Sequence, residues 1–304
     1  MTDHHPAPAI RTSGLSRRYG KHLALDDLTL AVPTGAIYGF LGPNGAGKTT
    51  TIRILLGFIR PSSRAAALFG RDCWSDGVAA RASVGFLVAA DALYLDLTGT
   101  ALLDHAAALS GAPPVLRDRL LDALELGRDA LGRRISTYSK GMKQKVALIA
   151  AMQHDPALLI LDEPSDGLDP LIQRNFEQVL REANRRGATV FMSSHDLPEV
   201  ERLCERVAIV RGGRLIAEET IASLARRHRR QATVLFNGPV PAALAAAPGI
   251  RLVASDGVRA DLEIDGEIGP LLSLLASLDV ADLLLPPPRL EDIFMGFYGE
   301  EATA

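Results

Sequence analysis

The segment Gly42-Pro43-Asn44-Gly45-Ala46-Gly47-Lys48-Thr49 restricts this chain to a small set of folds. It fits G-x-x-x-x-G-K-[ST], a turn whose backbone N–H groups cradle phosphate. Its glycines permit dihedrals that other residues avoid and a close approach to a ligand. A helix that begins directly after such a turn points its positive end at the same anion. Lys48 adds a compact positive charge for the β- and γ-phosphates, and Thr49 a hydroxyl for Mg²⁺. The flanks agree: Ala36-Ile37-Tyr38-Gly39-Phe40-Leu41 reads as a short apolar strand, and Thr50 to Leu56 can start a helix. Strand, glycine loop and helix together argue against a ligand-free glycine turn.

Other apolar runs repeat the pattern. Leu158–Leu161, Thr189–Ser193 and Val207–Val210 read as buried parallel strands. Helical patterns such as Leu171 to Asn184 lie between them. The alternation up to about residue 222 predicts an α/β core with a parallel sheet. Leucines at helical spacing around Leu116–Leu124 mark a helical insert from roughly Thr98 to Leu126. Arg226-Arg227-His228-Arg229-Arg230 reads as a domain boundary. Without interleaved aromatics, that basic run favours a solvated helix end or linker over a nucleic-acid patch. Beyond it come strand 232–236, helix 240–246, strands 250–254 and 258–264, helix 268–278 and strand 280–285. This β-α-β-β-α-β order predicts a small α+β, ferredoxin-like module. A last amphipathic helix is expected over Leu290–Tyr298.

Composition narrows the class. With 47% hydrophobic and 23% charged residues, 304 residues can build a large core or two smaller ones. A net charge of −3 gives no general pull toward nucleic acid. Cys73 and Cys204 stand far apart, which argues against a disulfide framework or zinc site and fits a reducing compartment. The start, Met1 to Pro6, lacks the apolar stretch of a signal peptide. No apolar run reaches the ~18 residues that span a bilayer.

Further chemistry gathers around the predicted strand ends. Asp162 and Glu163 follow Leu158–Leu161, on the ligand side of a parallel sheet. Asp162 is placed to hold Mg²⁺, and Glu163 to orient and deprotonate an attacking water. Ser139-Lys140-Gly141-Met142-Lys143-Gln144 precedes a helix expected over Lys145–Met152. Ser139 reads both as its N-cap and as part of a second phosphate site. His195 follows another buried strand; alone it would be a structural histidine, but at this edge it is expected to touch phosphate.

In this order, the motifs resemble the nucleotide-binding subunit of ABC transporters, over residues 10 to about 220. Gly42–Thr49 corresponds to its Walker A motif, with Thr50 next in line. Leu158–Glu163 corresponds to Walker B with the catalytic glutamate. Tyr138-Ser139-Lys140-Gly141-Met142 looks like the signature motif, Gly167-Leu168-Asp169-Pro170 like the D-loop, and His195 like the switch histidine. Tyr19 falls where the family stacks adenine; a strand-end aromatic is the plain alternative. The resemblance implies an N-terminal antiparallel β part and a nucleotide-binding domain over 1–224, with a helical subdomain at about 88–150. An accessory module over 231–304, including Leu290–Phe294, resembles the extension on exporters of drugs, polysaccharides and lipids. It further implies an ATPase with catalytic Glu163 and His195, ATP and Mg²⁺ as cofactors, and export through an integral membrane permease. Two ATPs would sit in a head-to-tail pair, with a second copy or a homologous subunit. The site would be cytoplasmic, peripheral on the inner face of the cell membrane; no nucleic acid is expected.

Two positions depart from the family pattern. Where it reads roughly Ile-Gly-Tyr-Leu-Pro-Gln, or Glu for Gln, this chain has Val84-Gly85-Phe86-Leu87-Val88-Ala89. Ala89 thus takes the Q-loop position with a side chain that can neither ligate metal nor orient water, so turnover is expected to be lowered. Asp91, two residues on, is a candidate substitute. Asp166 stands where a small Ser or Asn is usual, and is expected to add negative charge near a phosphate site. A non-transport ATPase of the same superfamily would carry long coiled-coil insertions or a second motif set. A GTPase would carry Asn-Lys-x-Asp, and a P-loop kinase would lack the signature-to-Walker-B order. The chain has none of the features that would favour these alternatives.

Overall fold

Runs of apolar residues too short for helices become strands buried on both faces, and these organise the molecule. The computed structural model describes residues 7–227, 230–244 and 247–286. In chain order the elements are β1 (Ile10–Tyr19), β2 (His22–Val32), β3 (Ile37–Leu41), α1 (Lys48–Leu55), β4 (Ser63–Leu68), β5 (Arg71–Asp72), α2 (Gly77–Arg81) and β6 (Val84–Phe86). Then follow α3 (Gly99–Ser110), α4 (Arg117–Ala123), α5 (Lys140–Met152), β7 (Leu158–Asp162), α6 (Pro170–Arg185), β8 (Thr189–Ser194), α7 (Leu197–Leu203), β9 (Arg206–Arg211) and β10 (Arg214–Thr220). The remainder is α8 (Ile221–Arg227), β11 (Arg230–Phe236), β12 (Ile250–Asp256), β13 (Arg259–Ile264), α9 (Gly269–Leu275) and β14 (Val280–Leu284). They fall into two compact units, Met1–Glu218 and Glu219–Ala304.

In the first unit, β10-β9-β3-β8-β7-β6 form one sheet, parallel from β9 through β6. A second sheet, β2-β1-β4-β5, is antiparallel. All residues of β3 and β8 are buried, as a sheet covered on both faces requires. One apolar core joins Leu15 and Leu28 of the antiparallel sheet to Phe40, Ile160 and Phe191 of the parallel one, with Ile52 and Leu55 of α1 between. Register aligns the strand ends: Leu41 pairs with Ser194, and Asp162 with Ser193. The phosphate loop, Glu163 and His195 therefore leave the sheet along one carboxyl edge.

The insert expected over 98–126 is two helices. α3 ends at Gly111, whose φ of 67° suits a left-handed C-cap, and Pro113-Pro114 separate it from α4. α5 begins at Lys140, five residues before the expected Lys145, because the Ser139 hydroxyl accepts the Met142 N–H and caps the helix there. Gly85 of β6 is packed so tightly that a Cβ would stand 2.1 Å from the Ala151 carbonyl oxygen in α5.

The second unit holds an antiparallel sheet in the order β12-β13-β11-β14. Its own core gathers Val234, Phe236, Leu262 and Ile264 with Leu271 and Leu275 of α9. Where a helix over 240–246 is expected, the described residues form one tight turn, Ala242–Leu244, after Pro241; residues 245 and 246 lie outside the described set. So do His228 and Arg229 of the basic run, and the helix and motif expected at 290–298.

Candidate active site

The phosphate loop takes its shape from close packing and positive φ. Gly45 and Gly47 have φ of 81° and 105°, where only glycine is at ease. A Cβ on Gly42 would lie 2.4 Å from the Val210 carbonyl oxygen, so the loop is seated directly on β9. Lys48 opens α1, is 7% exposed, and donates to the Gly42 carbonyl oxygen at 2.6 Å. Thr49 donates its hydroxyl to Asp162 Oδ2 at 3.0 Å, while the Ser193 hydroxyl donates to the other carboxylate oxygen. Two hard oxygen donors thus meet at the sheet edge. Mg²⁺ needs one or two protein oxygens besides phosphate and water, so the pair fits it. Among the described residues no group of three or more His, Cys, Asp or Glu forms a metal cage.

Glu163 follows with φ 48°, left-handed and strained for a side-chain-bearing residue. Its N–H donates to the Ser193 carbonyl at 3.2 Å. One carboxylate oxygen lies 3.7 Å from Lys48 Nζ. The other is 2.7 Å from His195 Nδ1 and also accepts the His195 backbone N–H at 3.2 Å. His195, expected from sequence at a phosphate, is here paired with the base. It remains 74% exposed, free to meet a second partner.

Tyr19 borders the same cleft of about 390 Å³ as Pro43, Asn44, Gly45, Lys48 and Thr50. The Arg17 guanidinium lies 4.7 Å over its ring, so the aromatic face already attracts a flat cationic group. A neighbouring cleft of about 830 Å³ is lined by Ala89 and Asp91 together with Thr49, Asp162 and Glu163. Ser139, Gly141, Met142 and Asp169 line neither cleft. Ser139 and Asp169 act here as N-caps of α5 and α6. Lys140 Nζ sits 2.9 Å from Asp166 Oδ2. The charge expected to stand uncompensated is therefore paired. The Lys140 stem crosses Gly167, where a Cβ would touch its Cε at 3.3 Å.

Sequence reasoning passed over Ser165, Ser193, Ser194 and Glu199. Ser193 braces Asp162 and Glu163, and the serine pair directly before His195 was the signal available. Glu199 is 3% exposed on α7, and a buried acid is rare enough to point to a role. Its partners lie on two other elements, Ser165 in the loop after β7 and Ser194 at the end of β8.

A sequence model of the ABC transporter family matches residues 25–166. The bacitracin transport ATP-binding protein BcrA of Bacillus licheniformis is 33% identical, the match covering 95% of this chain and 97% of that one. The Nod factor export ATP-binding protein I of Paraburkholderia xenovorans is 34% identical, over 97% and 99% of the two chains. The daunorubicin/doxorubicin resistance ATP-binding protein DrrA of Streptomyces peucetius is 39% identical over 72% and 67%. Among solved structures, an ATP-binding subunit of an ABC transporter superposes with a TM-score of 0.67 at 32% identity, covering 72% of this chain and 92% of that one. A bacterial ABC transporter cassette with a TM-score of 0.62 and 21% identity shares the fold over 70% of this chain and 98% of its own.

Proposed function

Because the chain belongs to the ATP-binding subunits of the ABC transporter family, we propose that it hydrolyses ATP to drive export of a drug, lipid or polysaccharide through a separate membrane subunit. One observation carries the chemical reading: Glu163 lies 3.7 Å from Lys48 and 2.7 Å from His195, beside the Thr49–Asp162 donor pair. A base, a fixed cation and an imidazole converge at one sheet edge.

Each residue then has a task. The Gly42–Thr49 amides and Lys48 hold the phosphates and offset the charge that builds on the γ-phosphoryl group. Thr49 and Asp162 would hold Mg²⁺, which adds positive charge at the phosphates. Glu163 orients a water and takes its proton. His195 fixes the Glu163 carboxylate and, when ATP is present, turns its exposed ring to the γ-phosphate. Tyr19 offers a stacking face to adenine. Ser139, Lys140, Gly141 and Met142 form the start of α5, a second N–H-rich helix end. In a head-to-tail pair, with a copy of this chain or a homologous ATPase subunit, that helix end covers the partner's ATP, and Asp169 sits at the same interface. ATP then joins two positive helix ends that ADP does not bridge.

The membrane subunit also has a surface to meet. A groove of about 630 Å³ is lined by Phe58, Val78, Tyr94 and Leu109, side chains 61–83% exposed, and it shares Val88 and Phe86 with the Ala89 cleft. An apolar segment of the permease fits it. Among the described residues no helix is long and apolar enough to cross a membrane; the chain would sit at the membrane's inner face through this partner.

Glu163→Gln tests the reading. It should lower phosphate release by on the order of 10²–10⁴-fold and trap an ATP-bound dimer in size-exclusion chromatography with ATP and Mg²⁺. A variant that binds ATP yet elutes as a monomer counts against the composite site.

A further inference from the structure

Glu199 is an acid in an unfavourable place. It is 3% exposed on α7. Burial raises its pKa, and the nearby carboxylates of Asp196 and Glu177 push the same way. The adjacent guanidinium of Arg202 is bound to Glu177, at 2.8 Å. An apolar side chain would fill this site without the desolvation cost. What a carboxylate adds is two acceptors, and both are in use. One oxygen accepts the Ser165 hydroxyl; the other accepts the Ser194 hydroxyl at 2.8 Å. The Glu199 backbone N–H is itself held by Asp196 Oδ1 at 3.1 Å, so the clasp is fixed at its base.

The two serines belong to different elements of the site, the loop after β7 and the last residue of β8. Ser165 stands two residues beyond Glu163, and Ser194 directly precedes His195. The loop from Glu163 to Leu168 is a run of turns, with Asp166 N–H to Glu163 O at 3.2 Å and Leu168 N–H to Ser165 O at 3.1 Å. Glu163 itself sits at φ 48°, a conformation that persists where the surroundings hold it. We infer that Glu199 is a positioning residue for ATP hydrolysis: by clasping Ser165 and Ser194 it keeps Glu163 and His195 in register across two loops. The inference rests on the ATPase reading above, and it concerns a residue that touches neither nucleotide nor metal donors.

The test uses the full-length protein. Glu199→Ala should lower kcat by on the order of 10- to 100-fold, the cost of misplacing a reacting group by about an ångström. KM for ATP should stay within about twofold, since the phosphate loop is untouched. Glu199→Gln can accept from one serine and donate to the other, and should recover most of the rate. In nucleotide-free protein, the Glu163, Asp166 and Leu168 amides should exchange with deuterium faster in the alanine variant than in the glutamine variant. A folded Glu199→Ala protein with wild-type kcat and wild-type exchange overturns the inference. Should that variant fail to fold, Ser165→Ala and Ser194→Ala are read by the same two measures, and wild-type values in both overturn it equally. Wild-type protein that releases no phosphate from ATP would instead sink the ATPase reading, while the exchange comparison still decides the clasp.

Discussion

At Ala89 a methyl group faces the cleft that Thr49, Asp162 and Glu163 also line. A methyl neither donates nor accepts, so nothing at that position can hold a water or report on a phosphate. Ala89→Gln should raise steady-state ATPase with the cognate membrane subunit by on the order of tenfold, the worth of one well-placed hydrogen bond. An unchanged rate would show that Ala89 does not limit turnover. Asp166 has the opposite story. Sequence marked it as a stray negative charge, yet Lys140 lies 2.9 Å away. Both side chains are more than half exposed, so the pair adds only about 0–1 kcal/mol to stability. Its effect belongs to the composite site, where Lys140 flanks Ser139 and Gly141. Asp166→Asn should raise the ATP concentration needed for dimerisation of the Glu163→Gln variant, and the swap Asp166→Lys with Lys140→Asp should lower it again. If the swap behaves no better than the single change, the pair is incidental. The two residues are 26 positions apart, which is why no reading of local sequence joins them.

The elements divide by how local their causes are. Four strands of the parallel sheet, β3, β7, β8 and β9, could be read from continuous apolar runs, since burial on both faces leaves no polar alternation; β6, where half-buried Val84 and Phe86 flank Gly85, could not. The phosphate loop, Asp162, Glu163 and His195 followed, because each leaves the end of such a strand. The start of α5 is expected five residues late, at Lys145, although Ser139 reads as its cap; the Met142 N–H donates to the Ser139 hydroxyl, so the helix begins at Lys140. Ser139→Ala should cost about 1 kcal/mol in thermal unfolding; no loss would mean that the cap is replaced by solvent. Glu199 was invisible for a different reason: its role depends on the loop after β7 and the end of β8 both meeting α7. Its raised pKa sets a pH dependence. Below the ordinary value of 4.5 it is protonated in both folded and unfolded chains, and its contribution is whole. As pH rises past that point the unfolded chain ionises first, and stability is lost until the folded-state pKa is passed. Glu199→Gln lacks this loss, so its melting temperature relative to wild type should climb as pH rises above 4.5. A constant difference would show that burial does not raise this pKa.

Over the whole molecule, two cores stand side by side in sequence. One surrounds Phe40, Ile160 and Phe191; the other surrounds Phe236, Leu262 and Leu271. All the residues assigned to ATP belong to the unit built on the first, Met1–Glu218. A chain ending after Thr220, which leaves β10 whole, should bind ATP within about twofold of the full protein, as separate cores predict. A collapse of binding would make the second unit part of the nucleotide domain. Within the first unit, Gly85 sets a mechanical condition. A single hydrogen atom separates β6 from the Ala151 carbonyl, so strand and helix meet as a bearing with no clearance. A tilt of α5, whose far end carries Ser139, would press directly on β6 at Gly85, four residues ahead of Ala89. Gly85→Ala, whose Cβ would stand 2.1 Å from that carbonyl oxygen, should drive a shim between strand and helix and lower the melting temperature by several degrees; an unchanged melting temperature would show that the bearing has slack.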